Sequence, residues 1–98
     1  MEILQKVDEI RQYFENESTA SVRTDRDFDN LAWIFIFVKG SGPLDVLRVS
    51  QDVLDDNDVP GIVRRLEKHD WRKVIQTAGS MPTILTRTGF QFVGASQD

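Results

Sequence analysis

Asp56 opens a twelve-residue window that closes at Glu67, with Asp58 third and Gly61 sixth. A calcium loop places a carboxylate ligand and a sharp turn at those positions. Pro60 and Arg64, however, occupy the fifth and ninth places, where oxygen donors are needed. The same residues fit a helix capped by Asp58 with Pro60 in its first turn, where a missing N–H costs nothing. A looser divalent-ion site among Asp52, Asp55, Asp56 and Asp58 is the weaker alternative. The sequence therefore predicts no metal site and no cofactor.

Other catalytic chemistry finds as little support. His69 is the single histidine and cysteine is absent, so a thiol nucleophile is excluded. Ser41 and Ser80 lie in turn-like contexts without the Gly-x-Ser-x-Gly elbow of a hydrolase. Gly40 and Gly42 precede a strand pattern and lack the Gly-Lys-Ser/Thr continuation of a phosphate loop. Paired carboxylates are plentiful in an acidic chain and mark no glycosidase by themselves. No catalytic residue is assigned.

Recognition surfaces are better supplied. Arg64, Arg65, Lys68, Arg72 and Lys73 cluster with only Glu67 and Asp70 between them, and Trp71 is interleaved. Basic side chains beside an aromatic suit phosphate contact and base stacking, the nucleic-acid alternative, using Arg64, Arg65, Lys68, Trp71 and Arg72. The competing reading is a solvated helix face with Trp71 closing the core. For contact with another protein, the candidates are the acids Asp52, Asp55, Asp56 and Asp58, with Tyr13 at the edge of a helical stripe. Phe90 and Phe92 join them on a C-terminal strand that is a candidate sheet edge.

The elements behind these residues follow from periodicity. Ile3, Leu4, Val7, Ile10 and Phe14 recur at helical spacing and predict a helix from Glu2 to about Asn16. A strand is expected at Ser18–Thr24, then a polar turn over residues 25–30. Leu31–Val38 is apolar on both faces, which suits a central strand or one whose second face meets another protein. Gly40-Ser41-Gly42-Pro43 predicts a turn, and Leu44–Val49 a third strand. A second helix is expected from Val59 to about Asp70. Three short strands follow at Val74–Thr77, Thr83–Thr86 and Phe90–Val93, with a loop at residues 79–82 and a hairpin turn at Arg87-Thr88-Gly89. The predicted fold is α+β: an antiparallel sheet of about five or six strands with two helices, in the order α-β-β-β-α-β-β-β.

Composition bounds the rest. Ninety-eight residues support one hydrophobic core, so a single domain over residues 1–98 is expected. The net charge of -4 is unevenly distributed. Residues 1–58 hold thirteen acids against six bases, and residues 59–98 hold six bases against three acids. No apolar run reaches membrane-span length, and the acidic, broken pattern of residues 1–9 is unlike a signal peptide. Together with the lack of cysteine this predicts a soluble cytoplasmic protein with no membrane partner. The favoured function is a non-enzymatic protein-binding or regulatory module. A nucleic-acid-binding module and a structural homodimer are the alternatives.

Overall fold

The computed structural model describes residues 2–40, 45–78 and 82–92. Helix α1 spans Ile3–Ser18. Its Val7, Ile10 and Phe14, spaced three and four apart, are buried, whereas Leu4 of the predicted stripe stays 62% exposed. The helix stops at Thr19, whose left-handed backbone (φ 59°) lets its N–H donate to the Glu15 carbonyl.

Strands β1 (Ser21–Asp27), β2 (Ala32–Val38) and β3 (Asp45–Ser50) form the expected antiparallel meander. Three helices follow: α2 (Gln51–Asp56), α3 (Val59–Lys68) and α4 (Trp71–Ala78). Strands β4 (Thr83–Thr86) and β5 (Gly89–Phe92) close the chain as an antiparallel hairpin. Among the described residues five strands lie in sequence order across one sheet, with β1 and β5 as its edges.

The predicted architecture needs three corrections. Among the described residues there are four helices rather than two. The sheet is mixed rather than antiparallel, because β3 and β4 run parallel, with Val49 opposite Leu85. The strand expected at Val74–Thr77 is instead the middle of α4, giving the order α-β-β-β-α-α-α-β-β. These corrections share one cause: parallel neighbours need a crossover, and α2, α3 and α4 supply it. Helix α2 is too short for periodicity to reveal, yet it is firmly specified. Ser50 accepts from the Val53 N–H at 3.3 Å, and Val53 and Leu54 are fully buried. In α4 the β-branched Val74-Ile75 pair reads as strand, but Trp71, Ile75 and Ala78 bury one helical face.

The first strand is also displaced, since Ser18 belongs to α1 and β1 extends to Asp27. Ser41 to Leu44, Gly79 to Met81 and Val93, used in the predicted turn, loop and strand ends, lie outside the described residues.

One face of the sheet carries the core. Val22, Trp33, Phe35, Phe37, Leu47, Val49 and Leu85 join buried residues of all four helices in a single cluster. At its centre the Phe14 ring meets Phe35, Phe37 and Trp71 edge-on, with centroids 5.2, 5.1 and 4.8 Å away. Lys6 ties α1 to α2 by donating to the carbonyls of Leu54 at 2.7 Å and Asn57 at 2.8 Å. On the other face Ile34, Ile36, Val38 and Val46 are partly exposed. Among the described residues, no helix is long and apolar enough to cross a membrane.

Phe14→Ala removes the ring shared by α1, β2 and α4. The substitution is expected to cost about 3–5 kcal/mol, read as a lowered denaturation midpoint in urea.

Candidate functional site

The four-residue connection between β1 and β2, Phe28-Asp29-Asn30-Leu31, is held from below by Asp27. Its carboxylate accepts from the Asn30 backbone N–H at 3.2 Å, the Asn30 side-chain amide at 2.8 Å and Arg48 Nε at 2.8 Å. These donors, the Asn30 side chain first and Arg48 next, hold the Asp27 carboxyl below the usual carboxylate range. Arg48 reaches Asp27 from β3 across β2, where the register places small Ala32 beside Asp27. The loop is thus fastened by a half-buried ion pair.

Its last residue, Leu31, adopts φ 48°, a conformation that costs a non-glycine residue roughly 1–2 kcal/mol. The Leu31 carbonyl accepts from the Gln51 N–H at 2.8 Å, which fixes the strained residue against the start of α2. Its side chain is 67% exposed, and that of Phe28 is 71% exposed. The Arg26 guanidinium lies 5.0 Å from the Phe28 ring and 5.2 Å from Trp33. Trp33 is largely buried, and its indole N–H has no acceptor among the described residues. Arg26, Phe28 and Trp33 therefore form a cation–aromatic cluster, and Leu31 is displayed on the same hairpin tip.

From the sequence this segment reads as a polar turn. The available signal was two large apolar residues, Phe28 and Leu31, set among Asp and Asn, with no glycine at the position that needs a positive φ.

The predicted contact residues are dispersed, and several are committed to the fold. Tyr13 is partly buried; its hydroxyl donates to Glu67 and accepts from Trp71 Nε1 at 3.0 Å. Trp71 is 2% exposed, so it closes the core and offers no ring for stacking. Arg72 lies over the Trp71 ring at 4.6 Å and is held by Glu17 and Glu67. Glu67 is kept below the ordinary glutamate range, chiefly by the Tyr13 hydrogen bond and then by Arg72.

Among the acids, Asp58 caps α3 by accepting from the Gly61 N–H at 2.9 Å, and Asp56 pairs with Arg87 at 2.7 Å. Asp55 accepts from the Gln51 side chain at 3.1 Å, while Asp52 is exposed in the first turn of α2. Among the described residues, no group of three or more His, Cys, Asp or Glu side chains is placed to hold a metal ion. Of the predicted bases, Arg64, Arg65 and Lys68 share one concavity with Arg87.

At the two edges, β5 presents Phe92 at 45% exposure, while Phe90 packs edge-on against His69 with centroids 6.3 Å apart. Edge strand β1 is guarded. Its Val22 N–H donates to Glu15 at 2.9 Å and its Arg26 N–H to Asp25 at 2.8 Å. Carboxylates on these amides oppose pairing with an incoming strand. The Val22 bond is also the main reason that Glu15 is acidified. Comparison with protein-family models, curated proteins and solved structures gives no match.

Burial, reinforced by the bond to Glu67, pushes the Tyr13 phenol up to about 12. Because the folded value exceeds the unfolded one of about 10, this contribution to stability is complete below pH ~10 and is lost as pH rises through ~12. Tyr13 is the only tyrosine, so phenolate absorbance reports it directly. Native protein is expected to ionise near pH 12, and urea-unfolded protein near 10. Tyr13→Phe strips Trp71 Nε1 of its acceptor and is expected to cost about 1–3 kcal/mol, measured by urea denaturation.

Proposed function

We propose that this chain is a non-enzymatic protein-recognition module whose anchor is the β1–β2 hairpin tip. The observation that carries the reading is the outward display of Phe28 and Leu31 on a loop whose leucine sits at φ 48°. Glycine at residue 31 would be less strained and would expose less apolar surface, so the folded chain alone gains nothing from leucine there. A partner surface that covers Phe28 and Leu31 supplies the missing gain.

Arg26, stacked between Phe28 and Trp33, adds the residue type that, with aromatics, dominates binding hot spots. The Asp27–Arg48 pair holds the tip in shape before encounter, which lowers the ordering cost of association. The partner is a protein with an apolar pocket; an acidic rim would complement Arg26. The nucleic-acid alternative retains Arg64, Arg65 and Lys68 but lacks an exposed Trp71 and a free Arg72. A homodimer is a special case of the same anchor, with a second copy as partner.

Leu31→Gly is expected to leave folding intact and raise stability by up to about 1 kcal/mol, by releasing the left-handed leucine. The Phe28→Ala/Leu31→Gly variant is expected to lose the partner that the unmodified chain retains in affinity capture from its native cell. If self-association is the function, sedimentation is expected to show loss of the dimer. An identical retained set and an identical sedimentation profile for both proteins would overturn the hairpin as anchor.

A further inference from the structure

Helix α3 presents Arg64 and Lys68 one turn apart, both exposed, with Arg65 beside them. The β4–β5 turn brings Arg87 and Thr88 to the same place. Together with Asn57, Gly61 and His69 these residues line a concavity of about 510 Å³. Two of its cations are already oriented. Arg65 donates through Nε to Asn57 Oδ1 at 3.4 Å and through Nη1 to the Arg87 carbonyl at 3.2 Å. The Arg87 guanidinium is fixed by Asp56 at 2.7 Å.

Arg64, Arg65 and Lys68 form no salt bridge among the described residues. Like charges four apart on a helix are unfavourable, and the chain as a whole is acidic, with a net charge of -4. Four cations gathered against repulsion, on an otherwise acidic protein, call for an anion.

From this geometry we infer a binding site for a small phosphate monoester. Charge sets the class of ligand. Among the described residues no carboxylate lines the concavity. Arg87 is paired with Asp56, whereas Arg64, Arg65 and Lys68 form no ion pair among the described residues, so positive charge is in excess. A phosphate monoester carries about two negative charges at neutral pH, which these unpaired cations can neutralise.

Shape agrees with charge. Arg65 and Arg87 present planar donors suited to phosphate oxygens, Arg64 and Lys68 reach in from the helix, and Thr88 brings a hydroxyl. The volume leaves room for the organic part of the ester. Gly89 brings the turn in: at φ 123° it lacks the Cβ that would stand 3.2 Å from the His69 ring, so the turn packs closely on the α3–α4 corner. The site uses none of the hairpin residues, and its test is separate from that of the proposed function.

The test is a titration of the full chain, followed by amide and arginine side-chain NMR. Phenyl phosphate is the monoester probe and diethyl phosphate the diester control. A short single-stranded oligonucleotide without a terminal phosphate stands for nucleic-acid backbone. Phenyl phosphate is expected to shift Arg64, Arg65, Lys68, Arg87 and Thr88 saturably, with diethyl phosphate bound about tenfold more weakly. Arg64→Gln/Lys68→Gln is expected to weaken phenyl phosphate about tenfold without lowering the unfolding midpoint, since it removes a like-charge pair. Arg87→Gln, in an exposed turn, provides the same reading should the double variant not fold.

Shifts scattered over all surface bases, or unaffected by these variants, would overturn the site. Tighter binding of the oligonucleotide than of phenyl phosphate, with a steep salt dependence, would overturn the small ligand in favour of a polynucleotide.

Discussion

The Phe14 ring is the contact on which the rest of the molecule depends. It packs edge-on against Phe35 and Phe37 of the central strand and against Trp71 of the last helix. Through it α1 and the end of the crossover are held on one sheet face. Each such ring pair adds about 0.5–1.5 kcal/mol beyond the area it buries. In a chain of this size that is a substantial share of the net stability. Tyr13, next in sequence, extends the cluster to the surface: its hydroxyl takes up the Trp71 indole N–H and donates to Glu67. A polar chain from Trp71 through Tyr13 and Glu67 to Arg72 therefore fixes the orientation of an otherwise apolar core.

That arrangement explains which residues remain available for contact. Trp71 and Arg72 look like a recognition pair in the sequence because an aromatic beside an arginine is common to cores and to binding surfaces alike. Their partners decide between the two uses, and Tyr13 and Glu17 lie 58 and 55 residues away from Trp71 and Arg72. Asp58 and Asp56 are comparable: an acid used as a helix cap or tied to an arginine is indistinguishable from a free one until the fold brings its partner near. The residues freed of such duties are of other kinds. Phe28 and Leu31 lie in a turn, and Arg64 and Lys68 lie on a helix whose Glu67 is taken by Tyr13 and Arg72.

The meander and the buried stripe of α1 were legible because their signals are local. Period-two and period-four patterns need no knowledge of the rest of the chain. Asp58 as the cap of α3 was legible for the same reason. The parallel pairing of β3 with β4 was not, since no local pattern distinguishes a crossover from a second meander. The same gap hid α4: Val74-Ile75 has the branching of a strand, and only the burial of Trp71, Ile75 and Ala78 on one side makes a helix the better packing. The hairpin tip was missed for the opposite reason. Its local chemistry predicts a polar turn correctly, but exposure and a positive φ at Leu31 belong to the folded backbone.

The parallel β3–β4 contact also has a temporal consequence. Hairpins close between neighbours in sequence, whereas Val49 can meet Leu85 only after the intervening helices have compacted. During synthesis, α1 and the first three strands leave the ribosome before the C-terminal hairpin exists. The residues that fasten the Phe28–Leu31 tip, up to Gln51, precede the last hairpin in sequence, whereas the concavity around Arg64 and Arg87 is assembled only when the last strands dock. Local opening of β4 and β5 in the finished protein would reverse that order, dismantling the basic concavity while leaving the hairpin tip in place. The two surfaces thus differ in persistence as well as in chemistry.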